Sequence, residues 1–168
     1  LAQLDPDKRI ILVTAHRREN FGQPLQGICA ALRSLAGRGD VQVVYPVHLN
    51  PNVWGPVHQV LGGVQNVLLM PPVDYSRLVY LMRTSALVLT DSGGIQEEAP
   101  SLGVPVLVLR EVTERPEGVE AGTARVVGTD PERIVAVASH LLDNRAAYAA
   151  MAQAVNPYGD GHAAQRIA

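Results

Sequence analysis

Short apolar runs alternate with amphipathic stretches along the whole chain. Residues 9–14, Arg-Ile-Ile-Leu-Val-Thr, form the kind of continuous apolar run that a central parallel strand shows. After the turn at 21–24, Leu25, Ile28, Cys29, Leu32 and Leu35 recur at helical spacing and predict one buried helix face. Residues 41–47 predict a second buried strand, and 52–61 a short helix closed by Gly62-Gly63. A third strand is expected at 66–70, before Pro71-Pro72, and a helix at 75–82 that leads into a strand at 87–89. Behind Ser92-Gly93-Gly94 a further helix runs to Gly103, and 104–109 reads as the fifth strand. A short helix ends at Gly122, 124–127 is a sixth strand, and 131–142 and 146–154 are helices. Asp130-Pro131 supplies the N-cap and first turn of the former.

Strands that are apolar on both faces and alternate with helices make an α/β fold, a doubly wound parallel sheet of Rossmann-like type with right-handed crossovers. Six strands in this rhythm suggest the dinucleotide-fold order, in which ligands sit at the carboxyl ends of the strands near the point where strand order reverses. The polar clusters follow the strand ends: His16-Arg17-Arg18 after the first, His48 after the second, Ser92-Gly93-Gly94 after the fourth and Arg115 after the fifth. All are expected to face one crevice.

The stretch 87–98, Leu-Val-Leu-Thr-Asp-Ser-Gly-Gly-Ile-Gln-Glu-Glu, organises the rest. It reads as strand, tight turn and helix start. Gly93 and Gly94 let the backbone bend and approach a ligand, and the helix N-terminus behind them offers unpaired N–H groups and a positive dipole end to a phosphate. Ser92 adds a hydroxyl. An ordinary N-cap and turn would look the same, and Glu97 and Glu98, placed in the first helical turn, could do no more than complement the dipole. His16 is either a satisfied strand-end histidine or, beside two arginines, a group that holds phosphate or protonates a leaving oxygen. Arg17 and Arg18 could simply pair with Glu19, Glu111 or other surface acids, and His48 could cap the next helix.

Composition narrows the partners. The 168 residues suffice for one core and carry a formal net charge of -2 without any run of Lys or Arg, so neither nucleic acid nor an anionic membrane is an expected partner. The single cysteine, Cys29, lies in an apolar helical stretch and reads as a core residue of a reducing compartment. No apolar run approaches a membrane span, and Leu1-Ala2-Gln3-Leu4-Asp5 shows no signal pattern, so a cytoplasmic protein is expected. The sequence starts without Met and enters a strand within about ten residues, as part of a longer chain would. The five histidines and one cysteine lack ligand spacing, so no metal or other cofactor is expected. Gly-x-Gly-x-x-Gly is absent after the first strand, which argues against a nicotinamide, and Ser92 lacks the elbow pattern of a hydrolase nucleophile. The Ala-rich tail, about 144–168, reads as a docking helix.

Several strings carry a resemblance that periodicity does not. They are His16-Arg17-Arg18-Glu19-Asn20, Tyr45-Pro46-Val47-His48-Leu49-Asn50-Pro51, the run from Thr90-Asp91-Ser92-Gly93-Gly94 through Glu97-Glu98-Ala99-Pro100 to Gly103, Thr113-Glu114-Arg115-Pro116-Glu117, and Asn156-Pro157-Tyr158-Gly159-Asp160-Gly161. In this order and spacing they resemble the non-hydrolysing UDP-N-acetylglucosamine 2-epimerases. The resemblance covers the whole chain but only the C-terminal half of the family's, which folds as two facing α/β domains in the GT-B arrangement, so residues 1–168 would be a single UDP-binding domain without the family's N-terminal domain.

The resemblance implies site roles. Ser92, Gly93 and Gly94 would hold the diphosphate of UDP, Glu98 would bridge the ribose hydroxyls, His16 would contact and stabilise the departing diphosphate, and Arg115 would help neutralise it. Uracil would be held around Pro72-Val73 and Leu78, where other members carry Gln and Phe in place of Val73 and Leu78, which leaves backbone contacts to the base. Arg17 and His48 match positions that bind a second, activating UDP-N-acetylglucosamine in several bacterial members. The implied reaction interconverts UDP-N-acetylglucosamine and UDP-N-acetylmannosamine by anti elimination of UDP and its re-addition, in a homodimeric enzyme. The carboxylates that move the carbon-bound proton belong to the other domain, so this chain alone is expected to bind UDP without turnover. Two rival classes remain: a GT-B glycosyltransferase, which would need an acceptor, and a nucleotide-sensing module without chemistry.

Overall fold

A computed structural model describes residues 3–159 and 161–167; Leu1, Ala2, Asp160 of the Asn-Pro-Tyr-Gly-Asp-Gly string and Ala168 lie outside the described residues. The centre is a parallel sheet of strands β1 (Arg9–Thr14), β2 (Val41–Pro46), β3 (Val67–Met70), β4 (Ser85–Thr90), β5 (Val106–Val108) and β6 (Ala124–Val126). Their order is β3-β2-β1-β4-β5-β6, the expected dinucleotide-fold order, with its reversal between β1 and β4.

Successive residues of the central strands enter opposite cores, which is why the runs read as continuously apolar. Ile11, Val13, Leu87 and Leu89 face one side, and Ile10, Leu12 and Val88 the other. The first side is covered by α1 (Gln23–Ala36), α2 (Pro51–Leu61) and α6 (Pro131–Asp143) through Leu25, Ile28, Leu32, Val53, Val57, Ile134 and Leu141. The second is covered by α3 (Tyr75–Thr84) and α4 (Gly93–Ser101) through Leu81, Met82, Ile95 and Ala99. Gly27 lets α1 pass close to the loop before α6: a Cβ there would lie 2.5 Å from the Thr129 carbonyl oxygen.

Differences from the sequence reading fall at boundaries and in the tail. The fourth strand begins at Ser85, two residues before the apolar run 87–89. A 3-10 turn at Arg18–Asn20 follows the His16-Arg17 pair, where no element was expected. A short helix α5 (Pro116–Glu120) precedes β6 as anticipated. The tail is broken rather than one helix: α7 (Arg145–Ala152) is followed by an irregular stretch and then by α8 (Ala163–Ile167). Pro157 and the left-handed glycines Gly159 (φ 120°) and Gly161 (φ 82°) are incompatible with helix there. In that stretch the Asn156 amide donates to Ser101 Oγ (2.6 Å) and to the Glu97 carbonyl (3.4 Å), which ties the tail to α4.

Cys29 sits in the α1 core at 1 % exposure, and burial pushes its thiol up to about 12. Since the thiolate is the reactive form, an aromatic disulfide reagent at neutral pH is expected to label native protein only at the rate of unfolding, and denaturant to raise labelling in step with the unfolded population. Prompt labelling of the native chain, followed by absorbance, would contradict this burial.

Candidate functional site

Strands β1 and β4 end side by side at the register partners Thr14 and Thr90, whose hydroxyl oxygens lie 2.6 Å apart. Buried Thr90 Oγ1 also accepts the Ser92 N–H at 2.9 Å, which starts the turn into α4. Between them Asp91 is fully buried. Its Oδ2 accepts the His16 N–H (2.8 Å), the Arg17 N–H (2.7 Å) and the Asn20 side-chain amide (3.0 Å). The same amide donates to the Leu109 carbonyl at 3.0 Å, just past β5. One carboxylate oxygen therefore gathers the ends of β1, β4 and β5. Sequence reasoning missed this residue; the available signal was an acid closing a fully apolar strand, since a charge is buried there only if its hydrogen bonds are met.

Ser92 occupies the N-cap position of α4 with extended backbone (φ -86°, ψ 130°), yet its side chain makes no capping hydrogen bond. The plain-cap alternative thus fails. Neither Gly93 nor Gly94 takes a positive φ, so the bend does not need glycine for its dihedrals. What glycine supplies is room: a Cβ on Gly93 would lie 3.3 Å from Glu114 Oε1 and 3.7 Å from the Arg115 guanidinium carbon, and Gly94 is exposed to the crevice.

The two glutamates are displaced from where the sequence put them. Because α4 begins at Gly93, Glu97 and Glu98 stand in its second turn, and no acid lies in the first. Dipole complementation is therefore not their role. Glu97 pairs with the Arg115 guanidinium, and Glu98 accepts a hydrogen bond from the Tyr75 hydroxyl at 2.9 Å. Arg115 is further fixed through its loop. Its N–H donates to Thr113 Oγ1 (3.0 Å), Thr113 donates to buried Gln96 (2.5 Å), and the Tyr158 hydroxyl bridges the Gly118 N–H (2.9 Å) and the Arg115 carbonyl (3.2 Å). Bracing of a site loop by the tail tyrosine was not legible beforehand.

His16 is partly exposed; its ring stacks on His48 with centroids 5.1 Å apart and planes 15° apart. Burial holds its imidazole below the usual histidine range, with His48 and Arg17 acting the same way and the Asp91 carboxylate opposing. His48 does not cap α2: Asn50 does, accepting the Asn52 N–H at 2.9 Å, while His48 Nδ1 accepts the Asn50 N–H at 3.1 Å. Arg17 pairs with Glu114 (2.9 Å) rather than Glu19 or Glu111, and Glu19 is taken by Arg110, which also holds Glu114.

The structure thus brings His16, Arg17, His48, Ser92, Gly93, Gly94 and Arg115 together at one end of the sheet, with Glu98 further along α4. Val73 and Leu78 are half-buried and pack against the core that contains Ile95 and Ala99. A separate cavity lined by Glu19, Asn20, Arg110 and Glu111 contains none of these residues. Among the described residues no three His, Cys, Asp or Glu side chains converge as a metal ligand set, and no helix is long and apolar enough to cross a membrane. Chemically, the site offers a helix N-terminus, a hydroxyl and cationic side chains to an anion, with a carboxylate acceptor nearby.

Comparison with known proteins identifies the family. The family model of UDP-N-acetylglucosamine 2-epimerase matches residues 1–168. The chain belongs to that family. It is 59% identical over 165 residues to the UDP-N-acetylglucosamine 2-epimerase of Escherichia coli K12, a match that covers 98% of this chain and 44% of the relative. Among solved structures, a UDP-N-acetylglucosamine 2-epimerase from Listeria monocytogenes superposes with TM-score 0.93 at 53% identity, covering 96% of this chain and 44% of that one. The Neisseria meningitidis enzyme, solved bound to UDP-GlcNAc, also gives TM-score 0.93, at 47% identity over 98% of this chain and 44% of that one. The chain therefore spans a little under half the length of these family members.

Because Ser92 makes no capping bond, Ser92→Ala is expected to change unfolding free energy by less than about 0.5 kcal/mol, where an engaged N-cap serine costs about 1 kcal/mol. Urea denaturation of the two proteins measures it, and a loss of a full kcal/mol would restore the capping role.

Proposed function

We propose that this chain is the nucleotide-binding half of a UDP-N-acetylglucosamine 2-epimerase, and that it binds UDP at the junction of β4 and α4. The observation that carries the reading is the uncapped Ser92 hydroxyl at the start of α4, with Gly93, Gly94, His16 and Arg115 around it. Ser92 and the glycine amides take the diphosphate, Arg115 and His16 neutralise it, Glu98 accepts from the ribose hydroxyls, and the backbone at Val73 and Leu78 meets the uracil. The UDP-GlcNAc held by the meningococcal family member supports this ligand class.

In the whole enzyme the reaction is anti elimination of UDP from the sugar nucleotide and re-addition to the opposite face. This half contributes the step that needs charge stabilised on the departing diphosphate, and His16 is the group here that can supply a proton to it. The carboxylates that move the carbon-bound proton lie in the other half, so the 168-residue chain binds without turnover. Arg17 and His48, adjacent to His16, bind a second UDP-N-acetylglucosamine that activates the enzyme. Family resemblance further supports a homodimer acting in the cytoplasm, with no metal or other cofactor.

Calorimetry tests the binding. Ser92→Ala and Glu98→Ala each remove a charge-assisted hydrogen bond worth about 1.5–3 kcal/mol, and are expected to weaken UDP binding by about 10- to 100-fold; unchanged affinity in both would overturn the site. For the reaction, full-length protein given UDP-N-acetylglucosamine and no acceptor is expected to form the manno isomer, whereas a transferase would leave the sugar nucleotide unconverted. Turnover at a normal rate by the 168-residue chain would refute the division of labour.

A further inference from the structure

The carboxylate of Asp91 is used on one side only. Oδ2 receives three donors, while Oδ1, equally buried, has no hydrogen-bond partner. Leaving a buried acceptor unmet is unfavourable by about 1–3 kcal/mol, and by more for a charged one, so the unmatched oxygen points to a donor close at hand. The ionisable group facing it is His16, whose Nδ1 lies 3.9 Å from Oδ1. Two of the donors on Oδ2 are the main-chain N–H groups of His16 and Arg17, so the same carboxylate already fixes the backbone from which the imidazole hangs. A shift of about 1 Å would bring the pair to hydrogen-bond length.

We propose that Asp91 is a positioning residue for His16: Oδ2 clamps its loop, and Oδ1 accepts the Nδ1–H of its ring, so that Nε2 is presented to the crevice as the nitrogen that takes up a solvent proton and donates it in a hydrogen bond to a bound diphosphate. What occupies the crevice rests on the function proposed above; the pairing of Asp91 with His16 does not. When the anion arrives, one proton leaves solvent hydronium or buffer acid and forms the Nε2–H bond, the Nδ1–H keeps its hydrogen bond to Oδ1, and the imidazolium donates from Nε2 to a phosphate oxygen; no bond of the diphosphate forms or breaks in this step. The groups facing His16 are Asp91 from the β4–α4 junction, His48 from the loop after β2, and Arg17 beside it. Of these, Asp91 is the one that favours the charged ring, against His48, Arg17 and burial. Without it, approach of the diphosphate would have to overcome all three opposing effects alone.

Asp91→Asn separates the two oxygens' duties. The side-chain carbonyl can replace Oδ2 and keep the three donors satisfied, while the amide nitrogen replaces Oδ1 and presents a donor to Nδ1. Nitrogen-15 NMR of the imidazoles, with the His16 signal assigned by His16→Gln, is expected to find neutral His16 protonated at Nδ1 in the wild-type chain. In Asp91→Asn the neutral ring should switch to the Nε2–H form and its titration should fall by about one pH unit, a tenfold change in proton affinity. Proton uptake on binding UDP-N-acetylglucosamine near pH 7, from calorimetry in buffers of different ionisation enthalpy, should fall with it; a sugar nucleotide is used because its diphosphate diester does not titrate there. An Nε2–H tautomer in the wild type, or a His16 titration unmoved by Asp91→Asn, overturns the proposal. Should the variant fail to fold, the wild-type tautomer alone decides. If wild-type chain does not bind the sugar nucleotide, the nucleotide reading falls, while the ligand-free NMR still decides the Asp91–His16 pair.

Discussion

A buried carboxylate at the point where strand order reverses holds the carboxyl edge of this sheet together. A parallel sheet leaves main-chain groups unpaired where its strands end, and buried N–H groups must find acceptors. Here the loop after β1 and the side chain of Asn20 converge on Asp91 Oδ2, and Asn20 passes the connection on to the end of β5. The crevice wall is thus set by main-chain geometry, and side chains with a few degrees of freedom are carried on a rigid base. A negative charge close to a proposed anion site would oppose binding unless cations lie nearby, and His16, 3.9 Å from Oδ1, is the adjacent group that can become one by protonation.

Around this anchor the cationic side chains are held before any ligand is present. Arg115 lies against Glu97, and Arg17 against Glu114, which also holds Arg110. As partly exposed ion pairs they add little to folding stability. Their effect is geometric: each guanidinium is held on a carboxylate, Arg115 on Glu97 and Arg17 on Glu114, from which the proposed diphosphate would have to draw it. The chain after α7 adds a second restraint, since Tyr158 hydrogen bonds to both sides of the Arg115 loop and Asn156 to the end of α4. A segment remote in sequence therefore helps to place Arg115, a proposed binding residue.

The residues proposed for the diphosphate and the two proposed for activation are neighbours rather than separate patches. His16 and His48 stack because β1 and β2 pair in the sheet, and Arg17 follows His16 directly. His48 and Arg17 both bear electrostatically on the His16 imidazole, so a charge bound at either proposed position would reach it directly.

Strand and helix identities, the parallel sheet and its order, and the gathering of His16, His48, Ser92 and Arg115 at one edge were legible in the sequence. They depend on local apolar period and on the rule that parallel strands present their carboxyl ends together. The role of Asp91 was not, because nothing in Thr-Asp-Ser says that three donors from other segments will meet one oxygen. Nor were the partners that the structure gives Glu97 and Glu98, Arg115 and the Tyr75 hydroxyl, since both acids stand in the second turn of a helix that begins at Gly93. The choice of Glu114 over Glu19 and Glu111 for Arg17, and the path of the tail back to Arg115, likewise required the packed chain. Periodicity is a property of neighbours in sequence and survives without tertiary structure. Hydrogen-bond partners and ion pairs between segments separated by dozens of residues exist only once the sheet has brought those segments within reach.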